Sequence, residues 1–483
     1  MAKDSSNNRE AELKFELDRR AARKVRRHPL LAETDPKTQS QTSVYFDTDK
    51  RRLRKAGYSL RVRKAGDEHV QTVKTNGGGA GLFYRGEWEA PVDGLEVDAE
   101  ALKATPLGKL KKIDHKLEPQ VRSTVERATW LIDRDGSLIE VVLDRGTVEA
   151  GGEKEKFQEL ELELRDGASA ALFGLAKQIA EDVPLEIGVL SKEERGLLLA
   201  ERALDHEQKA SEPAIAEEMT AGQAFAAVVH ECVRHFRLNQ ALIIAERDPA
   251  ALHQARVAIR RLRTAFTLFR PAIRQGSLEP LNSELKAFIE PFGVARNLDV
   301  YLDKHGEELG WRDQRKLQSA RSDSYDQVID ALNSQQMRDM LVDLVEWTAS
   351  ADWQRKASAE PISRFAERRL NAAWRKVKRG GSRMGELEEQ QLHRLRIDIK
   401  KLRYSAEFLA PLYRKKRVRA FATSLEAMQD CLGLVHDDMV SRQIVVDYAL
   451  AESGRTDISQ RSRQLTKMGT RFKRLKRVGR FWR

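Results

Sequence analysis

Over residues 11–163, apolar and charged positions alternate with a period of two. Ala11, Leu13, Phe15 and Leu17 alternate with Glu10, Glu12, Lys14 and Glu16. Leu60 and Val62 alternate with Arg61 and Arg63, and Leu160, Leu162 and Leu164 with Glu159, Glu161 and Glu163. Successive side chains of a strand point to opposite faces, so this spacing predicts strands with one apolar and one charged face. Further strands are expected over 43–47, 70–75, 84–90, 121–132 and 138–144, punctuated by turns at Gly57, Gly66, 77–79, 135–136 and 151–152. About eight strands at short spacing predict a barrel or sandwich. Helices are expected beside it over 18–31, 99–110 and 168–181. The charged faces carry acids on the first and last strands and bases on the middle ones, where an ordinary solvated face carries Ser, Thr and Gln. Closed inward, such a sheet makes a wet, charged lumen suited to a polyanion and divalent metals.

From Glu217 the period becomes helical, with helices expected over 221–238, 252–269, 283–292, 300–308, 313–332, 336–348, 362–377, 387–412 and 417–432. One stretch is written twice. Leu252 opens Leu-His-Gln-Ala-Arg-Val-Ala-Ile-Arg-Arg-Leu-Arg, and Leu392 opens Leu-His-Arg-Leu-Arg-Ile-Asp-Ile-Lys-Lys-Leu-Arg. The 140-residue offset pairs His253 with His393, Arg256 with Arg396, Arg260 with Lys400, Arg261 with Lys401 and Arg263 with Arg403. It also carries Gly293, Asn297 and Val300 onto Gly433, Asp437 and Val440, an ungapped match that predicts a duplicated helical unit. On a helix, His253, Arg256, Arg260 and Arg263 fall on one stripe beside an apolar seam of Leu252, Ala255, Ile259, Leu262 and Phe266. A single basic stripe is usually a solvated face. Two related stripes, both nearly without the acids that helix-surface ion pairs need, point to a polyanion groove.

Charge sharpens the division. Of 86 Lys+Arg and 74 Asp+Glu, residues 1–200 hold 35 and 36, so the net +12 resides in the remainder. A basic C-terminal body attracts polyphosphate, nucleic acid or an anionic membrane, and sign alone does not choose. Cys232 and Cys431 are too few for a disulfide framework and are expected as buried thiols. The first ten residues are polar, and no apolar run approaches the ~18 residues that span a bilayer, so a cytoplasmic address is expected. Composition shifts to polar residues over 206–218, dividing the chain into 1–205, a linker, and 219–483. Seven Lys/Arg among the thirteen residues 471–483 mark a basic tail, expected as a solvated last helix or a polyanion-binding extension. Trp311, Trp347, Trp353 and Trp374 are expected in inter-helix packing.

Motifs in the first part appear in a telling order. Glu10-Ala-Glu-Leu-Lys14 is followed by Tyr45-Phe-Asp-Thr48, Ser59-Leu-Arg-Val-Arg63, Lys74, Arg85 with Glu87 and Glu89, Arg127, Leu143-Asp-Arg-Gly146, Glu159-Leu-Glu-Leu-Glu163, and Ser191-Lys192 with Arg195-Gly196. This series resembles the CYTH, or triphosphate tunnel metalloenzyme, family. The resemblance implies an α+β domain built on an eight-stranded antiparallel β-barrel or tunnel. It also implies metal-dependent hydrolysis of inorganic triphosphate or a related triphosphate. Lys14, Arg61, Arg63, Lys74, Arg85, Arg127, Lys192 and Arg195 would clamp phosphate oxygens, with Asp144 assisting metal or water placement. Glu10, Glu12, Glu159, Glu161 and Glu163 would hold Mg²⁺ or Mn²⁺. Related members act on thiamine triphosphate or cyclise ATP, which are the alternative substrates.

The repeated helices resemble the CHAD family, over about residues 219–450. They carry His253, Arg256, Arg260 and Arg263, then Arg296-Asn-Leu-Asp-Val300, then His393, Arg396, Lys400, Lys401 and Arg403, then Leu432-Gly433 and Asp437. That resemblance implies an all-α domain of two repeated helical bundles whose basic surface binds inorganic polyphosphate. It adds polyphosphate granules as a second possible address. For His253 and His393, a phosphate contact or structural hydrogen bond is favoured over metal binding, since neither has a His or Cys at ligand spacing. A barrel without turnover, serving as a polyphosphate-binding protein, is the competing reading. Nucleic acid draws support from net charge alone and is not expected.

Overall fold

The computed structural model describes residues 9–75, 79–110, 116–273, 278–349, 359–382, 387–450 and 458–483. Contacts divide the chain into one unit of residues 1–208 with 334–350, and another of 209–333 with 351–483.

In the first unit the strands are β1 (Arg9–Glu16), β2 (Lys37–Asp47), β3 (Tyr58–Ala65), β4 (Glu68–Thr75), β5 (Leu82–Pro91), β6 (Glu118–Arg134), β7 (Ser137–Ala150) and β8 (Glu153–Asp166). Their order is β5-β4-β3-β2-β6-β7-β8-β1, antiparallel throughout. Arg9 to Leu13 of β1 pair again with Gly86 to Leu82 of β5, closing the eight strands into a ring without a free edge. The two-residue β9 (Glu186–Ile187) extends the same side of β1.

The barrel is apolar outside and charged inside. Leu13, Phe15, Leu60, Val62, Val73, Ile139, Val141, Leu160 and Leu162 are buried. Val44, Phe46, Leu60, Val62 and Val73 form one core cluster with Leu53, Leu102 and Leu107 from the connecting segments. Helix α2 (Ala170–Asp182) contacts β8 and buries Leu172, Phe173, Leu175 and Ile179. Helix α1 (Arg19–Arg26) ends at Arg27, and Pro29 opens a separate short helix, so the single helix expected over 18–31 is two. Each fully buried Leu or Phe of this outer layer contributes about 2 kcal/mol. That burial offsets the desolvation of the charged lumen.

Helix α3 (Lys192–Ala200) plugs one end of the ring. Its Leu197 packs with Val121, Val125, Val148 and Phe157. A Cβ at Gly196 would stand 2.3 Å from Val121 Cγ1, so only glycine lets the helix seat this deeply. A capping box between Ser191 and Glu194 fixes its first turn, which faces the lumen.

The helices of the second unit are α4 (Ala221–Glu246), α5 (Pro249–Phe269), α6 (Glu279–Phe288), α7 (Glu290–His305) and α8 (Trp311–Leu332). After α9 (Gln335–Ala349) come α10 (Ile362–Gly381), α11 (Glu389–Phe408), α12 (Lys415–Asp447) and α13 (Ile458–Val478). The helix expected over 283–292 is divided at Ile289, because Pro291 falls in the first turn of α7, where its missing N–H costs nothing. The duplication appears as α5 with α11, which contact each other, and as α7 with the second half of α12, which also contact each other. Helix α9 lies within the range expected for the second domain but groups with the barrel. It contacts α2 and β9, and Lys177 lies 2.7 Å from Asp343 and 2.5 Å from Glu346.

The basic tail is structural at most of its apolar positions: Phe472, Leu475, Phe481 and Trp482 are buried while Val478 is exposed, and Trp482 packs edge-on to Phe421. Trp374 is buried as expected, whereas Trp311, the first residue of α8, is 68% exposed and Trp353 lies outside the described residues. Both cysteines are free and buried. No helix among the described residues is long and apolar enough to cross a membrane.

Candidate active site and basic groove

The ring encloses a cavity of about 400 Å³ lined by inward side chains of β1 to β8 and by the first turn of α3. Register stacks the charges in layers. Glu12 stands directly opposite Glu163, and Glu163 opposite Glu140. One step deeper Lys14 faces Glu161, and deeper still Glu16 faces Glu159, which faces Asp144. Lys192 enters from α3, its Nζ 2.9 Å from carboxylate oxygens of Asp144, Glu159 and Glu161 alike. Lys14 Nζ lies 3.3 Å from Glu159 and 3.1 Å from Glu161. The Arg127 guanidinium donates two hydrogen bonds to Asp144, of 2.8 and 2.6 Å, and one of 3.1 Å to Glu161.

Electrostatics fix the protonation states of this wall. Burial disfavours every charge here, yet the opposing partners win. Glu159 and Glu161 hold the Lys14 ammonium above its ordinary range, and with Asp144 they hold Lys192 well above it. Lys192 and Lys14 in turn keep Glu161 well below the usual carboxylate range, and Glu159 below it. Asp144 and Glu161 raise Arg127.

The facing wall is looser. Lys74 lies 3.1 Å from Glu87, but Arg61 lies 3.8 Å from Glu87 and Arg63 lies 3.7 Å from Glu89. Arg61 and burial push the Arg63 guanidinium down to about 10, whereas Tyr45 and Glu87 raise Arg61 against its burial, although its Nε finds no acceptor among the described residues. A guanidinium depressed in this way, as Arg63 is, favours an anionic guest.

The second unit holds a larger concavity, of about 820 Å³, lined by both copies of the repeat. Arg256 and Arg260 of α5 meet their equivalents Arg396 and Lys400 of α11. Arg296, Asn297 and Val300 of α7 meet Asp437 and Val440 of α12. A Cβ at Gly293 would stand 2.9 Å from Arg256 Nη1, so the glycine leaves room for that guanidinium. Burial and the surrounding cations depress these groups: His253 to about 4, Arg256 to about 10 and Lys400 to about 7. Nε atoms of Arg260 and Arg396 are buried without an acceptor among the described residues.

Residues 8–197 match the family model for the CYTH domain, and residues 227–446 that for the CHAD domain. The chain is a CYTH domain followed by a CHAD domain. An inorganic triphosphatase of Haemophilus influenzae is 29% identical over 163 residues, 33% of this chain and 46% of that protein, so the match spans under half of the relative. An uncharacterised protein of Mycobacterium tuberculosis is 27% identical over 465 residues, covering 86% of this chain and 83% of its own. Among solved structures, the CHAD domain of the plant Ricinus communis is 23% identical with a TM-score of 0.47, covering 56% of this chain and 95% of that one.

In the CYTH barrel, Glu12, Lys14, Arg61, Arg63, Lys74, Arg127, Glu161, Glu163 and Lys192 line the cavity. Asp144 and Glu159 are fully buried behind them. The Glu10 and Arg85 side chains lie outside the described residues. Arg195 does not join the lining; it pairs with Glu16 at 2.6 Å and Glu155 at 3.0 Å, bracing α3 against the wall. In the CHAD groove, His253, Arg256, Arg260, Arg396, Lys400 and Arg403 contribute. Arg263 turns to Asn282 at 3.1 Å, and His393 and Lys401 are exposed outside the lining, so the two histidines are not equivalent. Asp299 is structural, accepting from Arg321 at 2.7 Å and from the Tyr325 hydroxyl at 2.9 Å.

Sequence reading missed Gln39, Gln41, Thr129, Glu140 and Glu193, all of which line the cavity. Period two on β2 and β6 signals the first three, whose uncharged side chains hid them.

The cavity fits the divalent metal that the CYTH family implies. Glu12, Glu163 and Glu140 form a row of adjacent carboxylates across three strands; Arg165 joins two of them, 2.5 Å from Glu163 and 2.8 Å from Glu140, and the row still offers more carboxylate than that one cation balances. Oxygen-only donors suit Mg²⁺ or Mn²⁺. Asp144, Glu159 and Glu161 also gather within ligand distance, but the Lys192 ammonium sits among them.

Proposed function

We propose that the CYTH barrel hydrolyses inorganic triphosphate with Mg²⁺ or Mn²⁺, and that the CHAD groove binds inorganic polyphosphate. The observation that carries the first half is the cavity's division into two walls, one carrying Arg61, Arg63 and Lys74, the other rich in carboxylates. Arg61, Arg63 and Lys74 hold the phosphate chain, the arginines through bidentate geometry. Glu12 and Glu163, with Glu161 beside them, hold the metal. When bound, it neutralises phosphate charge and lowers the pKa of a water for attack on phosphorus. Lys14 and Lys192, raised by their carboxylates, stay cationic at neutral pH and serve as charge stabilisers rather than bases. Arg127, clamped by Asp144, presents a fixed guanidinium edge to the same space.

A second reading has one observation behind it. Lys192 already satisfies the deepest acid cluster without a metal, as a barrel that binds but does not turn over would require. Phosphate release from inorganic triphosphate, polyphosphate, ATP and thiamine triphosphate, each with and without Mg²⁺ or Mn²⁺, separates the readings. Metal-dependent release from inorganic triphosphate is expected to dominate. Preference for ATP or thiamine triphosphate overturns the substrate, and tight triphosphate binding with no release in any arm establishes the binding reading.

A further inference from the structure

Glu193 is a cavity-lining carboxylate with no ion pair among the described residues. It is the second residue of α3, 8% exposed, and it stands at the plugged end of the barrel. Two other carboxylates crowd it, and both are already committed. Asp47, at the end of β2, accepts from the backbone N–H groups of Thr48, Leu53 and Arg54 at 2.6, 2.9 and 3.1 Å. Glu194 accepts from the Ser191 N–H at 3.1 Å as half of the capping box. Facing Glu193 from other elements are Arg54, of the short helix Arg52–Lys55, and the Ser59 hydroxyl of β3. A third negative charge there, at the end of a space lined by Arg61, Lys74 and Lys192, opposes the anion those residues select.

Resting on the triphosphate reading above, we propose that Glu193 terminates the phosphate-binding cavity as a neutral carboxylic acid that donates a hydrogen bond to the chain's end. Ionised, the same group repels the substrate, so Glu193 sets the upper pH limit of binding. Burial, with Glu194 and Asp47 adding repulsion, holds its carboxyl up at about 8, so the neutral form predominates at pH 7. The blind end also explains why the acid matters for short chains. A chain end that reaches the plug must contact whatever α3 presents.

The test is direct binding of inorganic triphosphate by calorimetry in EDTA, from pH 6.5 to 9.5, on wild-type protein and on Glu193→Gln, whose amide donates at every pH. Wild-type affinity is expected to fall by up to about tenfold per pH unit above about 8, while Glu193→Gln stays within about threefold across the range. Glu193→Ala, lacking the donor, is expected to bind several-fold more weakly than Glu193→Gln at pH 7. Thermal melts give a readout without ligand. Because the folded state keeps this proton to about 8 and the unfolded chain releases it near 4.5, wild-type Tm should drop relative to Glu193→Gln as pH rises from 5 to 8. An equally steep alkaline fall in Glu193→Gln, or affinity that rises with pH in the wild type, overturns the proposal. Binding at pH 7 with no phosphate release once Mg²⁺ or Mn²⁺ is supplied defeats only the hydrolysis reading. No binding at pH 7 defeats both.

Discussion

The barrel cavity and the helical groove are both basic sites, but they manage charge in opposite ways. In the barrel, Lys14, Lys192 and Arg127 are each held by two or three carboxylates within 3.3 Å. In the groove, Arg256, Arg260, Arg396 and Lys400 face mainly one another, and the nearby acid Asp437 pairs with Lys304 at 3.0 Å. A self-neutralised network is rigid and places charge to fractions of an ångström, as chemistry at phosphorus requires. An uncompensated cluster stores repulsion that any polyanion relieves, so it binds by charge count with little demand on geometry.

The largest effect is expected where the acidic row is emptied. Glu12→Gln with Glu163→Gln should reduce metal-dependent triphosphate hydrolysis by at least about 10³-fold, while Tm in EDTA changes little, because loss of the like-charge cross-strand pair is offset by loss of the Glu163–Arg165 ion pair. Phosphate-release assays and melts on the same preparations check both halves. Activity that survives the double change would falsify the metal assignment. Next, neutralising Arg256, Arg260, Arg396 and Lys400 to Gln should leave triphosphate turnover intact and lower the slope of log affinity against log salt for polyphosphate by about 3. Titrations at several salt concentrations read that slope; an unchanged value places the polyphosphate site elsewhere. The smallest effect is a pH dependence confined to the groove. Lys400, pushed down to about 7 by burial and by Arg260, Arg396 and Arg256, is charged below that pH and neutral above it. Polyphosphate raises its pKa again, so binding takes up a proton and affinity should decline several-fold from pH 6 to 8. Lys400→Arg should flatten the profile; a wild-type profile that is already flat excludes Lys400 from the contact.

Some of this contrast was legible in the chain. Period two on residues 10–16, 59–63 and 159–164 assigned which side chains share a face, because strand geometry forces alternation. The 140-residue repeat placed Arg256 with Arg396 and Arg260 with Lys400 before any helix was packed, since duplicated helices bury equivalent seams. Pattern also located the two domain types and the free cysteines.

Alternation names a face but not a neighbour. That Lys192 enters a ring of Asp144, Glu159 and Glu161 depends on barrel closure, strand register and the depth to which Gly196 lets α3 descend. The same seating directed Arg195 to Glu16 and Glu155, off the cavity lining, and buried Glu193 at the plugged end. In the helical unit, tertiary packing broke the symmetry of the repeat: His253 lines the groove and His393 does not, although their local sequences match. It also assigned α9 to the barrel, against its position in the chain. Sequence by itself determined the inventory and the faces, because those follow from short-range backbone geometry. Pairing, protonation and depth were decided by the tertiary structure, because burial and distance between residues far apart in the chain set the electrostatic energies.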